Sequence, residues 1–545
     1  MNTIYKLILG CIISVCLFPS CSDFLEDEKP YGGFGKEQMT EETIEGLMSA
    51  SYAGLHGHFF GNNEAFSGPM SNWVFDVRSD DAYKGGGGIT MEAYIHQLEI
   101  SNISSSNPVA LNKWRNNYYA IARVNNAINT INELNPSDRD ELVGELRLLR
   151  GHFYFDLIRI FERIPYLDEN TVGAARYDEF SREQIFQKIY DDFKYGFDNI
   201  VPTQSQEGRL NKYAAAAYLC KLSVQLQKWD EAIYWADEVI GSRKYELYDN
   251  YLDMSKIEFN NKKEAVFAVQ FSTENNAAHI NWGNLLNTTY SEGNLFGNGD
   301  DFFLGSQNLV NAFRTDEKGL PYLDDFNTVR VTQNYKGNLD PRVDFTVGRI
   351  GVKFRGHTYN MNWCRDYATY GEYSGKKCLI DPESPDMFKG FPWGASSLSF
   401  NVIRYAEVLL WKAEALIEGG GSLEDARGLI NQVREKANRS IDPFYYPVDI
   451  DVTNVNYKVE NYPQEGWTRP YAQKALRMER RLELAMEGHR WFDLVRWNAA
   501  NSVLNKYFQE EKALRPYMEG ASFSENETYL PIPQEEVDNS NGLYK

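Results

Sequence analysis

Gln473–Asn498 reads QKALRMERRLELAMEGHRWFDLVRWN. Met478, Leu482, Ala485 and Met486 recur at i, i+4, i+7 and i+8, the spacing of one buried stripe on an amphipathic helix. Gly488 is the expected C-cap, because glycine takes positive φ without steric cost. A second apolar run follows at once: Trp491, Phe492, Leu494, Val495 and Trp497, broken by Arg490, Asp493 and Arg496. Glu479, Glu483 and Glu487 form one i,i+4 row, and Arg477 and Arg481 another. Like charges at that spacing oppose an isolated helix by about 0.2–0.5 kcal/mol per pair. The rows therefore require opposite charges from outside the helix, with Arg490 and Arg496 the nearest candidates. The stretch reads as a salt-bridged scaffold helix rather than a catalytic cluster.

The rest of the chain is consistent with a large, mainly helical protein. Its 545 residues are 43% hydrophobic, enough for a sizeable core, and 14% aromatic, with 35 Tyr, 31 Phe and 11 Trp. A net charge of −21 argues against nucleic acid, whose phosphates need a basic face. Seven histidines without an HExxH or CxxC motif give no support for a metal site, and no cofactor motif stands out.

Residues 1–20 read as an export signal. Lys6 precedes the apolar run Leu7–Phe18, which is too short to span a bilayer, and the segment ends Pro19-Ser20-Cys21. The small residue before Cys21 resembles a lipoprotein signal, so Cys21 is expected to be the lipidated mature N-terminus. Residues 21–40 then form a tether that begins acidic, SDFLEDE.

From 41 to 244 helical spacing dominates. Ile44, Leu47, Met48 and Leu55 mark a first helix; Trp114, Tyr118, Ile121, Asn125 and Ile128 a second. Leu142, Leu146, Leu149, Phe153, Leu157 and Ile160 mark a third, before Pro165. Further helices are predicted at Glu183–Ile200, Leu210–Gln227 and Trp229–Ile240, degenerate tetratricopeptide-like pairs without a clean repeat. Between 245 and 400 the pattern fails. EAVFAVQF, Glu264–Phe271, is strand-like, and after it come Gly, Asn, Asp and aromatics without period, as in HINWGNLLNTTYSEGNLFGNGDDFF. Such loops on a rigid scaffold tend to carry binding. Helices return at Val402–Glu418 and Leu423–Arg439, and 401–545 is expected to pack back on the scaffold. Cys364 and Cys378 are either a disulfide or two buried thiols, with Cys220 unpaired in a helix.

The opening stretch resembles the C-terminal signature ERRxELxxEGxRWFDLxRW of the SusD/RagB family. ELRLLRGHFYFDLIRIF, NVIRYAEVLLWKAEALIEGGG and YLPIPQEEVDNS resemble three further family segments. The resemblance implies a tetratricopeptide-like helical half, an irregular ligand-binding half with short strands, and no catalysis. It also implies a surface lipoprotein of the outer membrane that captures oligosaccharides and passes them to a SusC-like TonB-dependent transporter. The alternatives are a glycoside hydrolase, which needs two carboxylates roughly 5–9.5 Å apart, and capture of a non-sugar nutrient such as peptide.

In the family the ligand lies on loops of the irregular half and on the loop after the first helical region. Here the latter is NWVFDVRSDDAYKGGGG, where Tyr83 stands beside Gly85–Gly88. Asp80 and Asp81 supply acceptors for hydroxyls or cap the turn. Trp282, before Gly283, is either a stacking platform or a core residue, and Arg342 sits in an LDPR turn. The expected site is therefore Trp282, Tyr83, Asp81 and Arg342.

Overall fold

A computed structural model describes residues 41–57, 66–274, 280–290, 295–391, 393–442 and 449–544. Cys21 and the export signal lie outside these residues. The chain divides into two units, Met1–Ser49 and Ala50–Lys545. In the first, residues 41–49 are helical and open the helix Glu41–Tyr52; a 3₁₀ turn, Ala53–Leu55, continues it.

In the second unit the helices start where side chains can satisfy free backbone N–H groups. Asn107 accepts from the Val109 N–H to begin Pro108–Leu134, with proline in the first turn where its missing N–H costs nothing. Ser181 and Gln184 form a capping box at Arg182–Asn199, and Asn211 accepts from two N–H groups at Lys212–Gln225. Arg139–Ile160 is buried nearly all round, with Leu146, Leu149, Phe153 and Leu157 in the core and Glu145, Arg150 and Asp156 buried beside them in ion pairs. Consecutive helices pack as neighbours: 108–134 on 139–160, then 182–199, 212–225 and Trp229–Gly241.

Helix Tyr405–Glu418 then packs on 229–241 and 212–225, and carries Leu423–Arg439 and Arg469–Leu484 against it. The loop-rich segment is thus inserted between helices that are neighbours in space. Its two ends are joined by strand Ala265–Val269, antiparallel to Phe400–Arg404 with Val269 opposite Phe400 and Ala265 opposite Arg404. This pairing corrects the expected helix start at Val402. Residues 402–404 are claimed by the strand, and the helix begins only at Tyr405, whose N–H donates to the Glu264 carbonyl. A second correction falls in the first half: Ala82–Gly85 is a strand, antiparallel to Phe302–Gly305.

The inserted loops surround their own small core of Phe296, Phe354, Tyr359, Leu379, Ile380, Met387 and Leu398. Cys364 borders it as a free thiol 3.3 Å from the Tyr359 hydroxyl. Cys378 and Cys220 are free as well, which decides the open disulfide question in favour of thiols. Among the described residues no helix is long and apolar enough to cross a membrane.

Candidate ligand face

The signature helix buries four charged side chains, Glu479, Arg480, Arg481 and Glu483. Glu479 meets Arg342 at 2.7 Å and Arg434 at 2.9 Å. Glu483 meets Arg342, Arg404 and Lys436 at 3.1, 2.9 and 2.7 Å, and Glu264 joins Arg404 and Lys436. Glu487 pairs with Arg404 and Lys377. Burial works against its carboxylate, but Arg404 and Lys377 hold its pKa down at about 2. The expected partners of this row were Arg490 and Arg496. Instead Arg490 is bound to Asp80, and Arg496 to Glu414 and Asp493. The helix also ends earlier than expected. Ala485 is the C-cap, Met486 takes a φ of 58°, and Gly488 lies one turn on, donating its N–H to Asp76.

Three of the four residues expected at the site belong to this interior. Arg342 is fully buried between Asp340, Glu479 and Glu483. Asp81 is fully buried against Arg481 at 2.7 Å, with Asp80 held by Arg481 and Arg490. Tyr83 is fully buried in its strand; its hydroxyl donates to Glu511 and accepts from the Gln307 N–H. None of the three offers a face to a ligand. Gly85 and Gly86 serve close packing: a Cβ on Gly85 would come within 2.4 Å of the Asp301 carbonyl, and one on Gly86 would strike the Phe302 ring. The turn they form wraps the Lys84 amine, which donates to the carbonyls of Gly85, Gly88 and Met91.

Trp282 is placed differently. It opens a short 3₁₀ turn, Trp282–Asn284, and is half-buried. Its ring meets Phe391 edge-on at 5.9 Å, and Phe391 in turn meets Trp393 at 6.2 Å. Phe391 is 48% exposed. The Thr288 hydroxyl donates to the Trp393 carbonyl and so ties this group to the loop that carries Tyr290, which is also exposed. The Arg365 guanidinium lies 5.4 Å from the centre of the Tyr290 ring and is ion-paired with Asp300. Tyr367, two residues on, is exposed too.

Aromatic rings in contact with solvent and a partly exposed guanidinium–carboxylate pair form a face suited to a polyhydroxylated ring. Ring faces take its polarised C–H groups, while Arg365 donates to its hydroxyl oxygens and Asp300 accepts from its hydroxyls. Phe391, Trp393, Tyr290, Arg365 and Asp300 were not singled out in the sequence. The available signal was aromatics set against turn residues without period, as in NTTY and FPWG. A cleft of about 1090 Å³ lies elsewhere, beside Phe523 and Tyr529, and is lined by none of these side chains. Among the described residues no cluster of three His, Cys, Asp or Glu side chains is arranged to hold a metal ion.

A stack of paired helices carrying an inserted, loop-built aromatic face defines a helical scaffold protein of the binding type. Residues 263–545 match the family model described as the SusD family, and residues 66–224 match one described as starch-binding, associating with the outer membrane. The chain belongs to the SusD family. It is 24% identical to SusD-like protein P2 of Formosa agariphila, over 97% of each chain. Its fold is similar to that of a SusD superfamily protein from Bacteroides vulgatus, with a TM-score of 0.72 and 20% identity, covering 93% of this chain and 98% of that one. It is similar also to surface glycan-binding protein A from Bacteroides thetaiotaomicron in complex with laminarihexaose, with a TM-score of 0.65, 20% identity, and 93% and 99% coverage.

Proposed function

We propose that this chain is a surface lipoprotein that captures oligosaccharides on the face formed by Trp282, Phe391, Trp393, Tyr290 and Arg365. The observation that carries the reading is the exposure of Phe391, with Trp282 and Trp393 part-buried against it, and of Tyr290 beside the Arg365–Asp300 pair, in contrast to the internal commitment of Tyr83, Asp81 and Arg342. Membership of the SusD family and the laminarihexaose-bound structural relative support a glycan as ligand class. No catalytic step is assigned to the chain. Lipid on Cys21 anchors it to the outer membrane facing the exterior, and it delivers its ligand to a SusC-like TonB-dependent transporter.

The deciding experiment is a glycan array probed with full-length Cys21→Ala protein, followed by titration of the best oligosaccharide. Binding that Phe391→Ala abolishes supports the reading; an array without a hit, or binding indifferent to Phe391→Ala and Trp282→Ala, overturns it. The same Cys21→Ala change should move the protein from the membrane to the soluble fraction. Gently solubilised wild type should co-purify with a barrel transporter.

A further inference from the structure

Four loops around the aromatic face converge on Asp301. Its backbone N–H donates to the Thr288 carbonyl at 2.8 Å, and its carbonyl accepts the Gly86 N–H at 2.8 Å. One carboxyl oxygen accepts the Arg365 N–H at 2.9 Å, and the other accepts from the Ser374 hydroxyl. The residue is 1% exposed and takes a φ of 55°, a conformation that non-glycine residues hold when their surroundings enforce it. The Arg365 guanidinium is directed elsewhere, to Asp300 and the Tyr290 ring. Asp301 therefore uses its carboxyl to fix backbone and hydroxyl groups, not to neutralise a cation.

We propose that Asp301 is a positioning residue for the ligand face: by tying residue 365 and residue 374 to the 300–301 turn, it sets the Arg365–Asp300 pair beside Tyr290. This rests on the reading of that face as the glycan site. The alternative is a simple turn residue whose side chain only tolerates left-handed backbone. Position distinguishes the two. A turn residue would bond locally, whereas this carboxyl reaches partners 64 and 73 residues away.

The ionisable and charged groups facing Asp301 are Arg365, Tyr359 and Cys364. Burial, only partly offset by the Ser374 and Arg365 hydrogen bonds, pushes its pKa up to about 7. The fold thus favours the neutral carboxyl. Both hydrogen bonds are donated to the carboxyl and strengthen toward the anion, so the anchoring of residues 365 and 374 holds on either side of that pH.

The test uses full-length Cys21→Ala protein titrated with the best array oligosaccharide. Asp301→Asn keeps an acceptor for the Arg365 N–H, while its amide N–H turns to Ser374, whose hydroxyl then accepts. It should bind within about threefold of wild type, while Asp301→Ala should lose about tenfold or more. An Ala variant that binds like wild type, or an Asn variant that binds no better than the Ala variant, overturns the proposal. If the Ala variant fails to fold, Ser374→Ala, which removes one of the two carboxyl hydrogen bonds, is measured in its place, and wild-type affinity there overturns the proposal. Phe391→Ala measured alongside separates the two failures. If it binds like wild type the face itself is misassigned; if it weakens binding while Asp301→Ala does not, only the positioning role falls.

Discussion

The signature helix and the aromatic face are built from similar residue types and are used in opposite ways. On helix 469–484 the carboxylates of Glu479 and Glu483 are fully buried, each within ion-pair distance of at least two cations. On the face, Arg365 and Asp300 pair while about a third exposed, beside aromatics that solvent reaches. A buried ion pair is costly to form and costlier to break, because the orphaned charge has no water to return to. A partly exposed pair is worth less to the fold and is free to exchange partners with a ligand. The stretch that identifies the family is therefore the part least able to bind anything.

Breaking the interior should give the largest effect. Glu483→Ala removes a carboxylate shared by Arg342, Arg404 and Lys436, leaves the buried network with one uncompensated positive charge, and should cost about 3–5 kcal/mol in urea unfolding, if the variant folds at all. A loss under about 1 kcal/mol would place this network with ordinary surface pairs and erase the contrast.

Tyr83→Phe should cost about 1–3 kcal/mol, since it leaves the Glu511 carboxyl and the Gln307 N–H without their partner. Glycan affinity should be unchanged. A selective loss of binding with full stability would move Tyr83 back to the ligand side.

Trp282→Ala is the converse measurement. Stacking of a flat ring on an aromatic is worth about 1–3 kcal/mol in nucleic-acid systems, and that scale applied to sugars predicts a loss of tenfold or more in affinity. The melting temperature should stay nearly constant. A large fall in stability at constant affinity would return Trp282 to the core.

The smallest effect is a pH slope. Glu487, with its pKa held at about 2, contributes stability that is present above the usual glutamate range and lost as pH falls from about 4.5 toward 2. Glu487→Gln should flatten the acid limb of a stability–pH curve over that window and leave the neutral plateau lower. A curve of unchanged steepness would show that Arg404 and Lys377 do not depress it.

Much of the scaffold was legible from local pattern. Leu423–Arg439 has the expected bounds, and Arg139–Ile160 buries the six apolar positions its period marked. Boundaries slipped where a partner distant in sequence competed. Residues 402–404 joined a strand with 265–269, and 82–85 joined one with 302–305. The face itself was legible only as a composition: aromatic turns without period, from which Trp282 was picked and Phe391 and Tyr290 were not.

By itself the sequence determined most of the helices and the resemblance to a family, because helical period acts between residues a few positions apart. It also determined that Glu479, Glu483 and Glu487 needed cations from outside their helix. Only the tertiary structure decided which ones. Arg342 lies 141 residues from Glu483 and Arg404 lies 79 away, separations over which no local spacing carries information. Tyr83 and Phe391 are both aromatics beside glycines in sequence, yet one is sealed against Glu511 and the other faces water. What separates them is which neighbours the chain folds over each ring, and burial is a property of that packing rather than of the residue.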